Sequence, residues 1–126
     1  MEMVTISDIL LFHKRIIKET GGSDGIRDIG LIDSSLNRAF QTFNRTELHP
    51  DIIEKTAVIT YSLINNHGFI DGNKRIGIAT MLLILKQNNI KIEYTQKELV
   101  QLGLGIAEGL IDEKEIKNWI EQHRER

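Results

Sequence analysis

His67-Gly68-Phe69-Ile70-Asp71-Gly72-Asn73-Lys74-Arg75 stands between two apolar runs. Ala57-Val58-Ile59-Thr60-Tyr61-Ser62-Leu63-Ile64 precedes it, and Ile76-Gly77-Ile78-Ala79-Thr80-Met81-Leu82-Leu83-Ile84-Leu85 follows. The first run belongs to a helix predicted from about Pro50 to Asn66, with Ile52, Ile53, Ala57, Val58, Tyr61, Leu63 and Ile64 inward. Pro50 suits the first turn, where its missing N–H is not needed. The second run belongs to a helix that begins near Asn73 and stops at Asn88-Asn89; being apolar almost all round, it is expected to be the central, most buried helix. Polar groups wedged between two core elements are costly to order without partners. This loop is therefore where chemistry is expected.

Working outward, helical periodicity is common and strand-like alternation scarce, so the reading is an all-α domain of about six helices. Ser7 is read as the cap of a first helix carrying Ile9, Leu10, Phe12, Ile16 and Ile17 on one face, stopped by Gly21-Gly22. Residues 21–30 (GGSDGIRDIG) read as an ordered loop. A shorter helix is expected over Asp33 to Phe40, with Leu36, Ala39 and Phe40 inward. Gln41 to His49 has no clear period and reads as a small hairpin or an exposed flap. Ile90 to Tyr94 is a short extended connector. Thr95-Gln96-Lys97-Glu98 and Asp112-Glu113-Lys114-Glu115 fit capping boxes opening two closing helices, about 95–108 and 112–124, with Trp119 and Ile120 packing the last one down.

The 126 residues suffice for one domain with a conventional core, and no low-complexity linker or internal repeat divides them. A formal net charge of −2 gives no footprint for direct nucleic-acid binding. The absence of cysteine excludes disulfides, thiolate metal sites and cysteine nucleophiles. No signal-peptide pattern opens the chain, and its longest apolar run is too short to span a bilayer. A cytoplasmic protein without membrane partners is expected.

Gly72 before a helix start exposes backbone N–H groups at a positive dipole end, the arrangement that binds phosphate. Lys74 and Arg75 oppose that dipole, so something negative should compensate them. Asp71 either pairs with these cations or holds Mg²⁺, whose usual shell is one or two carboxylates plus substrate phosphates. His67 is the residue near the loop suited to general-base work at neutral pH. Phe69 is expected to point into the core, leaving His67 and Asp71 on the solvent side. An ordinary Asp-Gly-Asn turn is the plainer alternative. The P-loop spacing is absent, and His13, His49, His67 and His123 lack the pairing of a zinc site.

The segment resembles the Fic/Doc motif, H-x-F-x-[DE]-G-N-x-R, with the Lys after Asn typical of the Doc (death-on-curing) branch. Gly25 to Leu36 resembles the upstream segment of Doc-like proteins, and the length and helix order match across nearly the whole chain. The resemblance implies a Fic fold and a transferase using ATP and Mg²⁺. It makes His67 the base that deprotonates a target hydroxyl and Asp71 the Mg²⁺ holder. It gives Gly72 and Asn73 to an anion hole and Lys74 and Arg75 to the phosphates. It further implies a toxin of a toxin–antitoxin pair, a Phd-like antitoxin acting in trans, and a protein target bearing a Ser, Thr or Tyr hydroxyl. Translation elongation factor Tu is the target linked to that branch. In the family a segment placed like Phe43, Asn44, Arg45, Thr46 and Glu47 registers the target chain, often by backbone pairing.

AMP-transferring members usually carry Gly where Lys74 stands and a second Arg where this chain has Ile78. Both departures favour transfer of the γ-phosphate over adenylylation, whereas Gly72 keeps the standard Fic residue. The inhibitory pattern [ST]-x-x-x-E-[GN] is not met, because Leu104 stands four before Glu108-Gly109. A catalytically silent Fic-fold binding protein is the alternative from another class. Elsewhere, His13 is read as a packing residue, His49 as lying at the start of the long helix or flanking the site, Arg27 and Asp28 as a pair pinning the glycine-rich loop, and Trp119 as core.

Overall fold

The computed structural model describes residues 1–125. Six α-helices follow one another with a single tiny hairpin between the second and third: α1 Ile6–Thr20, α2 Ile29–Asn37, β1 Thr42–Phe43, β2 Thr46–Glu47, α3 Ile52–Asn65, α4 Asn73–Gln87, α5 Gln96–Ala107 and α6 Glu113–His123. The all-α reading holds.

Local capping chemistry sets most of the boundaries and moves several of them. α1 is capped by Thr5, not Ser7: the Thr5 hydroxyl accepts from the Asp8 N–H while the Asp8 carboxylate accepts from the Thr5 N–H. Its buried stripe is Ile9, His13 and Ile17. α2 begins at Ile29 rather than Asp33, because Asp28 accepts from the Gly30 and Leu31 N–H groups. It runs on as a 3₁₀ turn over Arg38–Phe40. Leu36 and Ala39 are inward as expected, but Phe40 is 46% exposed. Residues 41–49 hold the hairpin, paired Thr42 to Glu47 and Phe43 to Thr46, with Asn44 and Arg45 at its left-handed tip. α3 is capped by Asp51, so Pro50 sits just ahead of the cap instead of in the first turn.

Two apolar clusters share α3 and α4. One joins Ile64, Met81 and Leu85 to Leu102 and Ile106 of α5 and Ile116 and Ile120 of α6. The other joins Ile59, Leu63, Ile76 and Ile84 to Ile9 of α1, Ile32 and Leu36 of α2, and Phe69. Each such side chain contributes about 1.5–3 kcal/mol on burial. The deepest helix is α3, with ten buried residues against six in α4, which corrects the expectation. α3 is packed by α2, α4, α5 and α6, whereas the Ile78 and Leu82 flank of α4 opens onto a cavity. The two helices meet closely at Gly77, where a Cβ would lie 2.5 Å from Ile64 Cγ1 and 3.3 Å from the Thr60 carbonyl.

The capping boxes of α5 and α6 form as read, Thr95 with Glu98 and Asp112 with Glu115. Between α4 and α5 the connector pairs Ile92 with Arg124, and the Glu93 N–H donates to the His123 carbonyl at 2.8 Å. Trp119 is half-buried, packed against the first apolar cluster and stacked on the His123 ring, while Ile116 and Ile120 are the fully buried positions of α6. Among the described residues no helix is long and apolar enough to cross a membrane.

Candidate active site

Residues 66–72 link α3 to α4 and are held from outside by the loop after α1. The Arg27 Nε donates to the His67 carbonyl at 2.6 Å and its Nη2 to the Asn66 carbonyl at 3.1 Å. Arg27 and Asp28 therefore do not pair with each other: Asp28 caps α2, and Arg27 pins the motif. The Gly68 carbonyl accepts from the Arg27 and Asp28 N–H groups, and the Ile70 N–H donates to the Gly25 carbonyl. Gly68 is required for this approach, since a Cβ would lie 2.5 Å from Ile32 Cγ1. These contacts hold His67 at φ +52, a left-handed conformation uncommon outside glycine, with its side chain exposed.

Phe69 points into the core, 2% exposed, and its ring stacks on His13 at 3.8 Å. His13 is itself 1% exposed, and its Nε2–H donates to the Asp71 carbonyl at 2.7 Å. The packing role read for His13 thus includes fixing the backbone of Asp71. Asn73 turns its side chain back into the loop: Oδ1 accepts from the Phe69 N–H at 3.1 Å and Nδ2 donates to the Phe69 carbonyl at 3.0 Å. What Asn73 can offer an anion is its backbone N–H.

α4 starts at Gly72, which is left-handed at φ +79 and provides no side-chain cap. The other five helices are capped by Thr5, Asp28, Asp51, Thr95 and Asp112. Nor does α4 carry an acidic residue in its first turn, which holds Lys74 and Arg75 instead. Its first N–H groups have no intrahelical partner and lie in the positive end of the dipole. Arg75 is partly engaged: Nη1 donates to Thr20 Oγ1 and to the Gly21 carbonyl, and Nη2 lies 3.6 Å from Asp71 Oδ1. Lys74 is exposed. With Arg75, Ile78, Leu82, Tyr94 and Val100 it lines a largely apolar cavity of about 440 Å³ between α4 and α5.

Asp71 Oδ2 accepts from the Ser23 N–H at 3.1 Å and Oδ1 from the Gly72 N–H at 2.8 Å. Those two hydrogen bonds, Ser23 first, hold its carboxyl below the ordinary carboxylate range, with Arg75 and His13 helping. Among the described residues no three His, Asp or Glu side chains converge as a metal cage. A single ionised carboxylate with free lone pairs does fit Mg²⁺, which draws most of its shell from phosphates and water.

The structure gathers Asp71, Gly72, Asn73, Lys74 and Arg75 at one helix start, and His67 lies near the beginning of the same 66–72 loop with its side chain exposed. Phe43 to Glu47 form the separate hairpin; among the described residues no hydrogen bond or ion pair joins it to the loop. His13, Arg27, Thr20 and Ser23 are the site's unforeseen members. Arg27 and Ser23 shared one signal, their place in the glycine-rich segment, and for Arg27 the expected partner was the wrong one.

Fold and site together define a helical protein that leaves the positive end of a buried helix open beside an ionised carboxylate, with an exposed histidine on the same loop. The chain belongs to the Fic/DOC family, whose model matches residues 3–85. Two curated relatives carry the name Doc and set it on that branch. It is 33% identical over 72 residues to Toxin Doc of Mycolicibacterium smegmatis, covering 57% of this chain and 55% of the relative, so the match spans about half of that protein. It is 27% identical over 111 residues to Protein kinase doc of Escherichia phage P1, covering 88% of this chain and 86% of the relative.

Proposed function

We propose that this protein is a Doc-type toxin that moves the γ-phosphate of Mg-ATP onto a Ser, Thr or Tyr hydroxyl of a protein target in the cytoplasm. Translation elongation factor Tu is the family-based choice of target, and a Phd-like antitoxin acting in trans is the expected inhibitor. The observation that carries the reading is the uncapped, cation-flanked start of α4 beside Asp71, at the end of the loop that carries His67.

An unprotonated ring nitrogen of His67 takes the proton of the target hydroxyl as its oxygen attacks the γ-phosphorus. The new O–P bond forms, the bond from the γ-phosphorus to the β,γ-bridging oxygen breaks, and ADP leaves. Backbone N–H groups of Asn73, Lys74 and Arg75 hold the phosphoryl oxygens, whose developing charge is what a helix N-terminus and Lys74 favour. Asp71, kept ionised by Ser23 and Gly72, would hold Mg²⁺, which when bound neutralises phosphate charge. Arg27, by fixing the His67 carbonyl, keeps the base in its left-handed pose.

Ile78 in the cavity wall supports phosphate transfer, since an arginine at that place is the usual partner of a γ-phosphate in AMP-transferring members. Gly72 favours the second reading, adenylylation of the same hydroxyl. Incubation with γ-labelled and, separately, α-labelled ATP, using purified elongation factor Tu and cell extract, distinguishes them. Label from the γ position alone is expected; label from the α position overturns the kinase reading. His67→Ala should slow transfer by about 10²–10⁴-fold, the usual worth of a general base. No transfer from either label, with no growth defect on expression, would favour a silent Fic-fold binding protein.

A further inference from the structure

Lys55 on α3 lies wholly inside the protein, 1% exposed. An ammonium is almost never found there unless it is paired. Its three N–H donors meet three acceptors: the Ala39 carbonyl at 3.1 Å, Glu47 Oε1 at 3.0 Å, and the His49 carbonyl. Its Nζ also lies 5.1 Å from the centroid of the Phe40 ring. Ala39 and Phe40 precede the hairpin, Glu47 is in β2, and His49 follows it. One buried cation therefore grips both feet of the hairpin and one of its strands.

The hairpin needs such a grip. Each strand is two residues long, every position from Phe40 to Leu48 is exposed, and two-stranded ribbons are marginal alone. Beyond the strand pairing, one backbone bond closes its base, from the Leu48 N–H to the Gln41 carbonyl at 3.0 Å. Phe43 at 69% exposure stands on it with no apolar cover.

We infer that Lys55 is a positioning residue, a buried cationic latch that fixes the pose in which the 42–47 hairpin receives an extended stretch of the target protein. That docking, by main-chain pairing at the hairpin edge, is the flap role the family resemblance implies; the hold of Lys55 on the hairpin is the new element. This rests on the transferase reading above, with the hairpin as target-docking flap.

Arg45 at the tip gives a direct readout, since trypsin cuts after it only when the hairpin opens. Cleavage at Arg45-Thr46, followed by mass spectrometry, should quicken by about tenfold in Lys55→Met. The exposed change Glu47→Gln, which leaves the core intact, should quicken it by about threefold. In Lys55→Met the KM for elongation factor Tu should rise by about tenfold, while kcat and the KM for ATP stay within about twofold. Unchanged cleavage in both variants overturns the latch, and faster cleavage with an unchanged protein KM overturns the docking role. If the wild type transfers no label at all, the transferase reading fails, and the cleavage rates still decide the latch.

Discussion

His13 reaches the Asp71 carbonyl from 58 positions away in the chain and stacks on Phe69 in the same stroke. In His13→Phe the ring remains and the donor goes, leaving that carbonyl without its partner. The expected cost is about 1–3 kcal/mol, read as a lower urea midpoint; equal midpoints would mean the hydrogen bond does not hold the loop. This residue also marks the limit of sequence reading. His67, Asp71, Lys74 and Arg75 were legible because polar groups between two apolar runs need a reason to be there. His13 and Arg27 act through backbone carbonyls brought near by folding, and no spacing records such a meeting. Asn73 was legible as a member of the site but not in its task, since an amide serves a loop and an anion with the same atoms.

Elements differ in how much room they leave, and two helical glycines differ in sign because of it. At Gly77 a Cβ meets Ile64 at 2.5 Å and the Thr60 carbonyl at 3.3 Å, so α3 and α4 must part. Gly77→Ala should cost about 1–3 kcal/mol despite its better helix propensity. At Gly103 in α5 the nearest atom to a Cβ is Ile78 Cγ1 at 3.5 Å, an ordinary contact. Gly103→Ala should gain up to about 1 kcal/mol from propensity alone. Urea midpoints that move in the same direction would overturn this account. The starts of α5 and α6 were legible in full. Those of α1 and α2 were misplaced, because Ser7 competes on paper with Thr5, whose box with Asp8 forms, and Asp28 was hidden among glycines.

Across the whole molecule, α6 is fastened to α5 by His123, whose Nε2–H donates to Glu98 Oε2 at 2.5 Å and whose Nδ1–H donates to the Trp119 carbonyl at 2.7 Å. Burial pulls the imidazole's pKa down, yet Glu98 and the Trp119 carbonyl outweigh it and the net shift is upward. Glu98 is shifted down, by His123 first and then the Thr95 N–H. A raised histidine stabilises fully below its ordinary value of about 6.5 and loses that contribution as pH climbs through the raised value. A lowered carboxylate stabilises above its ordinary value of about 4.3 and loses its contribution as pH falls through the lowered one. The stability gap between wild type and His123→Gln should therefore be widest near about pH 5.5 and shrink by about pH 9, measured as urea midpoints. A gap that does not change with pH would mean the fastening works by packing alone. The order of the helices was legible from periodicity, but the relative depth of α3 and α4 was not, because depth depends on which neighbours arrive. One consequence reaches outside the test tube. Five helices satisfy their first N–H groups with their own side chains; the sixth leaves them to a visitor. An anion seated there is bound only by the folded chain, so folding and occupancy become one equilibrium. The protein's lifetime among cellular proteases would then follow the supply of its ligand.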